Sequence, residues 1–253
     1  MIELTKNIFR TIKALDERKT RRKENMFKAE GTKCVIDTLG HFKLRTLFAT
    51  YSWIEEYNDR IAPYIDCLVK VSRNDISRMS SLSTPAEVIA VYELPDHQAH
   101  FRKLSDRLIL ALDTIQDPGN LGTIIRVADW FGIHDILCSN ETADCFAPKV
   151  IQSTMGSISR VRLYYGSLPE MITSIKPKAV YGTFLDGNNI ADMKLGSEGI
   201  IVIGNEGRGI SQSVEALVTE RLFIPSYPPG QETGESLNAA IATAITIAKF
   251  RGI

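Results

Sequence analysis

The feature that most constrains the fold is a regular alternation that begins at about residue 107. Short runs of apolar, β-branched residues alternate with segments in which apolar residues recur at helical spacing, the pattern of strand–helix–strand units around a parallel sheet. The pattern predicts six strands, at 107–113, 135–139, 160–165, 179–184, 199–204 and 221–226. It predicts helices near 121–131, 147–155, 167–176, 211–219 and 236–250. We therefore expect an α/β domain with a parallel sheet.

The first 95 residues show a different pattern. They combine a basic helix, an apolar run at 34–36, an aromatic strand around 48–53 and a further apolar run at 67–71. This mixture predicts a small α/β module. A polar segment with the composition of a linker follows it. The sequence thus predicts this division: a module at 1–95, a linker at 96–106 and an α/β domain at 107–253.

The chain has no net charge that would point to a polyanionic partner. Lysine and arginine together number 30, and so do aspartate and glutamate, so a nucleic-acid site has to be a local patch. Residues 1–28 carry such a patch. It consists of nine bases: Lys6, Arg10, Lys13, Arg18, Lys19, Arg21, Arg22, Lys23 and Lys28. A solvated helix face and a phosphate-binding surface both fit this run, and the sequence leaves both open.

Cysteine and histidine usage favours neither a metal site nor a redox site. None of the cysteines has the paired spacing of zinc or thiol–disulfide chemistry. They are Cys34, Cys67, Cys138 and Cys145. His97 and His100 are spaced like a metal pair on a helix, but a solvated linker is the simpler interpretation. Because no apolar run resembles a signal peptide or a membrane span, we expect a cytoplasmic protein that binds no metal and no membrane.

The first informative loop follows the predicted strand at 107–113. It contains Asp117-Pro118-Gly119-Asn120, whose central proline and glycine suit a tight turn. The helix predicted after it carries Arg126 outside its apolar stripe, three residues before Asp129. Arg126 fits either a base that faces a ligand or one half of a surface ion pair with Asp129.

The second loop follows the apolar strand at 199–204 and reads Gly204-Asn205-Glu206-Gly207-Arg208-Gly209. Its glycines let backbone amides approach a ligand closely. Ile210 stands where a phosphate-binding P-loop needs lysine, which argues against ATP or GTP. The loop also comes too late in the domain for a dinucleotide-binding fingerprint. Ser211 is placed to cap the next helix, and a plain turn is the alternative to a ligand-binding loop.

The third loop is rich in proline and glycine and connects the strand at 221–226 to an alanine-rich helix near 236–250. Ser236 is placed as the N-cap of that helix. Asn238 is a weak helix former, and its amide could reach a ligand at the helix N-terminus. The apolar spacing predicts a buried stripe formed by Leu237, Ile241, Ile245 and Ala248.

In a parallel sheet these three loops all lie at the carboxyl edge, so we expect them to converge on one ligand site. Together they resemble the SpoU (TrmH-like) branch of the SPOUT RNA methyltransferases, whose motifs run N-x-G-x-x-x-R, then G-x-E-G-x-G, then I-P followed by S-L-N. The chain supplies these motifs in that order: Asn120-Leu121-Gly122 with Arg126, Gly204 to Gly209, Ile224-Pro225, and Ser236-Leu237-Asn238. The loop between Ile224 and Ser236 is longer than the family's usual link. Residues 13–31 and 84–88 resemble the ribosomal-protein-like substrate-binding domain that often precedes this catalytic domain.

The resemblance implies a fold and a function. The fold is a C-terminal SPOUT domain with a deep trefoil knot, preceded by a small α/β substrate-binding domain. The function is methylation of a ribose 2′-hydroxyl in RNA by S-adenosylmethionine, with ribosomal RNA as the expected substrate and a homodimer as the expected assembly. A transfer RNA ribose methyltransferase, a base methyltransferase of the same superfamily and a non-catalytic RNA-binding protein that retains the fold are the alternatives.

The resemblance also assigns roles to residues. The catalytic set it implies is Arg126, Asn120, Glu206, Ser236 and Asn238. The cofactor-binding set it implies is Gly204, Asn205, Glu206, Gly207, Ile224, Pro225, Ser236, Leu237 and Asn238. The family assigns proton removal to the arginine. Since a guanidinium stays protonated in proteins, we expect Arg126 to position the ribose and its phosphate, to stabilise the developing alkoxide, and to leave the proton to a phosphate oxygen or water.

Overall fold

The structure is a computed structural model that describes residues 5–96, 101–228, 234 and 236–253. Its contacts divide the chain into two compact units. Unit 1 comprises Met1–Asp96 and Asp144–Ser159, and unit 2 comprises His97–Ala143 and Arg160–Ile253. Each unit has its own sheet and its own buried core. The boundaries predicted for independently folding domains stay a prediction.

The described residues contain eleven strands and eleven α-helices. In unit 1 the strands are β1 (Met26–Glu30), β2 (Leu44–Ala49), β3 (Leu68–Lys70) and β4 (Val88–Glu93). In unit 2 they are β5 (Leu108–Leu112), β6 (Asp135–Cys138), β7 (Arg162–Tyr165), β8 (Val180–Phe184), β9 (Asn188–Asn189), β10 (Gly199–Ile203) and β11 (Glu220–Phe223). The helices are α1 (Lys6–Ala14), α2 (Arg18–Glu24), α3 (Thr32–Thr38), α4 (Tyr51–Glu56), α5 (Asn58–Ile61), α6 (Arg73–Met79), α7 (Pro118–Trp130), α8 (Pro148–Thr154), α9 (Leu168–Ile175), α10 (Gln212–Glu215) and α11 (Ala239–Phe250).

The sheet of unit 1 has the strand order β1-β4-β2-β3. Only β2 and β3 run parallel, and the other two pairs are antiparallel. The prediction of an aromatic strand around 48–53 was wrong at its second half. The Thr50 side chain accepts a hydrogen bond from the Trp53 backbone N–H, at 3.4 Å, and so caps α4. The strand ends at Ala49, and Trp53 is a buried helix residue.

Two of the nine bases in the N-terminal basic run are buried inside unit 1. The Arg21 guanidinium donates to the Leu15 carbonyl at 2.7 Å and to Asp144 Oδ2 at 2.6 Å. Lys28 is buried in the sheet as part of β1. The other seven bases are exposed. A phosphate-binding surface can therefore draw only on those seven, and including Arg21 and Lys28 in it was wrong.

The Lys28 ammonium lies at the centre of a buried polar cluster. Its Nζ is 3.0 Å from Asp16 Oδ1 and 3.2 Å from Glu30 Oε1, and it donates to the Met79 carbonyl at 2.6 Å. Burial raises the pKa of Asp16, but hydrogen bonds from Ser81 and Lys28 and the Lys28 charge outweigh it, so the pKa lies below its ordinary value. The ammonium thus neutralises the buried Glu30 carboxylate and the partly exposed Asp16 carboxylate.

Lys28→Met is expected to lower the free energy of unfolding of unit 1 by about 3–5 kcal/mol, because the Glu30 carboxylate would stay buried without its counter-charge. Urea unfolding followed by fluorescence reports on unit 1, since Trp53 is buried there and Trp130 of unit 2 is already exposed. The control is Lys23→Met, which removes an exposed ammonium paired with Glu24. We expect that control to change stability by no more than about 0.5 kcal/mol. Equal effects of the two substitutions would contradict the interpretation.

The sheet of unit 2 has the strand order β7-β6-β5-β10-β8-β11-β9, and its neighbouring strands run parallel. All six strands predicted from the alternation are present, so the expected α/β class with a parallel sheet is confirmed. The short strand β9 at the edge was not predicted. Two residues carry no periodicity, and this strand exists only through its pairing with β11.

The helix predicted near 121–131 begins earlier, at Pro118. The Asp117 carboxylate accepts a hydrogen bond from the Asn120 backbone N–H at 2.8 Å, which makes Asp117 the N-cap. Pro118 then occupies the first helical position, where its missing N–H costs nothing. The predicted tight turn is therefore the first turn of α7. The helix predicted at 211–219 is shorter than expected, since α10 ends at Glu215.

Helix α11 buries a different face from the one predicted. Leu237, Ile241 and Ile245 are 47%, 52% and 39% exposed. The buried residues are Ala239, Ala240, Thr243, Thr246, Ile247 and Phe250. Because the helix is apolar on nearly all sides, periodicity could not choose between faces, and the small side chains allow close packing against α7. Large apolar side chains are left on the surface.

The helix predicted near 147–155 is present as α8, and its contacts place it in unit 1. The Cys34 Sγ lies 3.8 Å from the Ile151 carbonyl oxygen there. Burial is the main cause that raises the pKa of the Cys34 thiol to about 12. Cys138 and Cys145 are also buried.

Within the described part of the chain, no helix has the length and apolarity that a membrane crossing requires.

Candidate functional site

Three loops of unit 2 meet at the carboxyl edge of its sheet. They follow β5, β10 and β11 and lead into α7, α10 and α11. Strands β5 and β10 are paired in parallel, and β8 lies between β10 and β11. The convergence expected from the sequence therefore occurs.

A hydrogen-bond network joins one residue from each loop. The Asn120 Nδ2 donates to Glu206 Oε1, and the Asn238 Nδ2 donates to Asn120 Oδ1 at 2.8 Å. The Ala239 backbone N–H also points to Glu206 Oε1, at 3.4 Å. The carboxylate of Glu206 thus holds the first and third loops in place. We call Asn120, Glu206 and Asn238 the polar network.

The start of α11 differs from the prediction. Its N-cap is Asn238, whose Oδ1 accepts hydrogen bonds from the backbone N–H groups of Ala240 and Ile241 at 3.0 and 3.3 Å. The prediction that Ser236 is the N-cap was wrong. The Ser236 hydroxyl instead donates to the Glu206 carbonyl at 3.4 Å. An asparagine that looked out of place in a helix is explained, because it lies just before the helix and caps it.

The glycine-rich loop folds back on itself. The Asn205 Oδ1 accepts hydrogen bonds from the N–H groups of Gly207 and Arg208, each at 3.0 Å, and its Nδ2 donates to the Thr114 carbonyl at 3.0 Å. At Gly204 an added Cβ would lie 2.4 Å from the Gly209 carbonyl carbon. Because the neighbouring atoms are backbone, only glycine fits at residue 204.

Sequence reasoning missed Asp113, which ties the first two loops together. It is buried at the end of β5. Its Oδ2 accepts a hydrogen bond from the Ser211 backbone N–H at 2.7 Å, and its Oδ1 accepts one from Thr114 Oγ1 at 3.2 Å. The sequence did contain a sign of this role, since an aspartate stands directly after a fully apolar strand. A carboxylate buried at such a position needs hydrogen-bond donors from the protein.

A cavity of about 450 Å³ lies beside the polar network, within the size range of small-molecule sites. Among the predicted cofactor-binding residues, those that line it are Gly204, Asn205, Glu206, Gly207, Ile224, Ser236 and Leu237. Asn238 and Pro225 do not line it. Sequence reasoning missed several residues of its wall: Thr183, Phe184, Leu185, Arg208, Glu215 and Arg221. The lining combines apolar side chains with backbone groups of two loops, which suits a ligand with a flat apolar part and polar edges.

Arg126 is exposed on α7 and does not line the cavity. The ion pair with Asp129 that its spacing allowed is absent from the described residues. Asp129 is instead bound by Arg160, whose Nε lies 3.0 Å from both carboxylate oxygens and whose Nη2 lies 2.7 Å from Oδ2. Within the described ranges Arg126 makes no hydrogen bond or ion pair, so its guanidinium is available to a ligand.

Metal-binding residues do not cluster in the part of the chain that the structure describes. No group of three histidine, cysteine, aspartate or glutamate side chains there could hold an ion. His97 and His100 lie outside the described residues. So do 229–233 and residue 235, which form much of the long loop between Ile224 and Ser236.

Comparisons with known proteins find family models that match both parts of the chain. The sequence model of the SpoU rRNA methylase family matches residues 107–248, and that of the MRM3-like substrate-binding domain matches residues 6–90. The 23S rRNA (guanosine(2553)-2'-O)-methyltransferase RlmP of Bacillus subtilis is 30% identical over 243 residues, which cover 95% of this chain and 94% of RlmP.

Solved structures agree over the whole length. A TrmH-family structure from Porphyromonas gingivalis is 35% identical, with a TM-score of 0.85 and 98% of each chain covered. The AdoMet-bound rRNA methyltransferase of Sinorhizobium meliloti is 28% identical, with a TM-score of 0.84 and 100% and 97% of the two chains covered. With the three motifs assembled at one sheet edge, these matches show that the chain belongs to the SpoU rRNA methylase family.

Proposed function

We propose that the protein transfers the methyl group of S-adenosylmethionine to a ribose 2′-hydroxyl of ribosomal RNA. The observation that carries this function is the polar network of Asn120, Glu206 and Asn238, which assembles all three family motifs beside one cavity. Relatives over most of the length, such as RlmP, are named for 2′-O-methylation of 23S rRNA, which favours ribosomal over transfer RNA. A non-catalytic protein would have no need to keep this network together with an Arg126 that has no partner among the described residues. A ribosomal substrate also favours a cytoplasmic location.

The residues present fit S-adenosylmethionine. The cavity of about 450 Å³ is large enough for a nucleoside joined to an amino acid. Backbone groups at Gly204, Ile224 and Leu237 can bind the polar edges of the adenosine, and the absence of a side chain at Gly204 keeps the loop in its folded-back form. The bound cofactor supplies an electrophilic methyl group on a sulfonium centre.

The chain's own residues must place a 2′-hydroxyl in line with that methyl group and manage its proton. The oxygen–carbon bond forms as the carbon–sulfur bond breaks, and the hydroxyl proton leaves to a phosphate oxygen or water. Arg126 positions the ribose and its phosphate and stabilises the developing alkoxide. Asn120 and Ser236 orient these groups, and Glu206 holds Asn120.

RNA methylated with tritiated cofactor is expected to carry the label on a ribose. Alkaline cleavage needs a free 2′-hydroxyl, so the labelled residue should survive alkali in a dinucleotide, joined to its 3′ neighbour. Ribosomal RNA from a strain that lacks the gene and transfer RNA from the same strain are compared as substrates. Label in mononucleotides would mean a methylated base and would overturn the proposal. Label in transfer RNA alone would overturn the choice of substrate.

We further infer that unit 1 binds the RNA. Its match to a substrate-binding domain supports this role, as do the seven exposed bases of α1 and α2. Three of these, Lys6, Arg10 and Lys13, are spaced to lie on one face of α1. Family membership likewise supports a deep trefoil knot in the segment from β10 through α11.

The homodimer is also part of the proposal. Trp130 at the end of α7 and Ile241 and Ile245 on α11 are large apolar side chains exposed on two helices that pack together. We infer that they form one apolar patch, the kind of surface that marks a protein–protein contact, and that a second copy of the chain covers it by two-fold symmetry.

The wild-type protein is expected to sediment as a dimer, and Ile245→Lys as a monomer, because the substitution places a charge at the centre of the apolar contact. Analytical ultracentrifugation at several concentrations measures this. Ile65→Lys, at an exposed apolar residue of unit 1, serves as the control and should remain dimeric. A monomeric wild type, or a dimeric Ile245→Lys, would contradict the inference.

A further inference from the structure

Arg221 on β11 makes an unusual pair of contacts at the wall of the cavity. Its Nη1 donates to Glu215 Oε1 and its Nη2 to Asp186 Oδ1, each at 2.6 Å. Asp186 follows β8 and Glu215 ends α10, so one guanidinium joins three elements of unit 2. Hydrogen bonds from Arg221 to Asp186 and Glu215 raise its pKa above the ordinary value.

The same guanidinium lies over the ring of Phe184, 3.5 Å from the ring centroid. Phe184 is the one aromatic side chain among the described residues that line the cavity. The Phe184 ring also packs against Gly182. An added Cβ at Gly182 would lie 2.5 Å from Phe184 Cε2, so the ring occupies the space that any larger residue there would fill.

Asp186 is kept within reach by the turn after it. An added Cβ at Gly187 would lie 2.8 Å from the Arg221 carbonyl oxygen, and the φ of Gly187 is +142°. Glycine therefore allows this turn to press against the backbone of β11. The two carboxylates leave the guanidinium little freedom to rotate away from the ring, since both of its terminal nitrogens are bound.

An exposed ion pair by itself contributes little to stability, so stability alone is a weak reason for this arrangement. Its distinguishing feature is the place where it lies: Phe184, Glu215 and Arg221 all line the cavity. A wall that is already ordered before the ligand arrives lowers the entropic cost of binding.

We propose that Arg221 is a positioning residue of the cofactor site, which acts by holding the Phe184 ring as a preformed wall for the adenosine part of S-adenosylmethionine. This inference rests on the proposed function. It assigns to Arg221, Glu215 and Asp186, which lie outside the three family motifs, a role in cofactor affinity and none in the chemical step.

Calorimetric titration with S-adenosylmethionine and with S-adenosylhomocysteine tests it. Arg221→Gln is expected to raise Kd about tenfold, or about 1.4 kcal/mol, because the Phe184 ring would then have to be ordered when the ligand binds. The KM for the cofactor should rise in parallel, while kcat at saturating cofactor stays within about twofold. Arg221→Lys keeps the charge but cannot bridge both carboxylates. Its Kd should therefore lie between those of the wild type and Arg221→Gln. The double variant Asp186→Asn with Glu215→Gln retains Arg221, frees it to move, and should also weaken binding.

A double-mutant cycle with Phe184→Leu isolates the mechanism. If Arg221 acts through the ring, Arg221→Gln should weaken binding much less in the Phe184→Leu background than in the wild type. Arg160→Gln is the matched control, because it removes a carboxylate-bound guanidinium of similar exposure in the same unit, outside the cavity lining, and its Kd should not change. An unchanged Kd in Arg221→Gln, or strictly additive effects in the cycle, overturns this inference alone. A wild type that binds neither cofactor form overturns the proposed function.

Discussion

Arg126→Ala is expected to lower the rate of methyl transfer by at least about a thousandfold while cofactor affinity changes no more than a few-fold. Removing a preorganised donor that stabilises a developing oxyanion costs about a hundredfold to a thousandfold. Arg126 is also expected to hold the ribose and phosphate, so its loss adds misplacement of the attacking oxygen. Cofactor affinity should survive because Arg126 does not line the cavity.

Single-turnover incorporation of tritiated methyl groups at saturating RNA measures the chemical step, and calorimetry measures the cofactor Kd. Arg160→Ala is the control, since it removes another exposed guanidinium of unit 2, one that is bound to Asp129. The control should keep its activity. Two outcomes contradict the assigned role: an active Arg126→Ala protein, or a folded one that has lost cofactor binding.

The sheet of unit 2 could be predicted because its central strands β5, β6 and β10 are buried on both faces. Strands such as β5 and β10 read as unbroken apolar runs, and their burial leaves no other arrangement for them. The convergence of the three loops then followed from parallel geometry. Residues at loop ends were harder, because Ser236 and Asn238 are both good capping residues and only the observed contacts separate their roles.

Contacts between distant residues account for what sequence reasoning missed. Asp113 could be recognised as unusual, but its partner Ser211 is 98 residues away. Lys28 belongs to a basic run in the sequence, but in the structure it is buried because it is part of β1. Arg221 and Phe184 belong to strands that are adjacent in the sheet but 37 positions apart in the chain, counted from 184 to 221. Local patterns carry no information about such pairs.

The wrong prediction of the buried face of α11 has a different cause. Periodicity predicted one buried apolar stripe, but α11 is apolar on nearly all sides, and a monomer and a dimer can bury different faces of such a helix. Ile241 and Ile245 are exposed in one chain and would be buried in the proposed pair. The predicted stripe was wrong for the single chain, and the proposed dimer supplies a physical reason for its composition.

Gly204→Ala is expected to weaken cofactor binding severely. The added Cβ would lie 2.4, 2.5 and 2.6 Å from the carbonyl carbon of Gly209, the nitrogen of Ile210 and the carbonyl oxygen of Gly209. These are backbone atoms, so relief requires the glycine-rich loop to open. Opening would separate Asn205 from Gly209, which are paired by two hydrogen bonds of 3.0 and 2.8 Å, and would displace Glu206 from the polar network. We expect Kd to rise by at least about a hundredfold, or about 2.8 kcal/mol, within the usual cost of forcing extra atoms into a packed site.

Calorimetry with S-adenosylhomocysteine and thermal unfolding are measured together, because a loop that opens must lose ligand affinity before the sheet beneath it melts. Gly196→Ala is the control: its nearest atoms lie 4.0 Å from the added Cβ, so the same change of composition meets no obstacle. If Gly204→Ala folds and binds the ligand as tightly as the control, then the closed form of the loop does not create the site. Because Glu206 reaches Asn120 only from that closed loop, methyl transfer should fail in Gly204→Ala even at cofactor concentrations that restore occupancy.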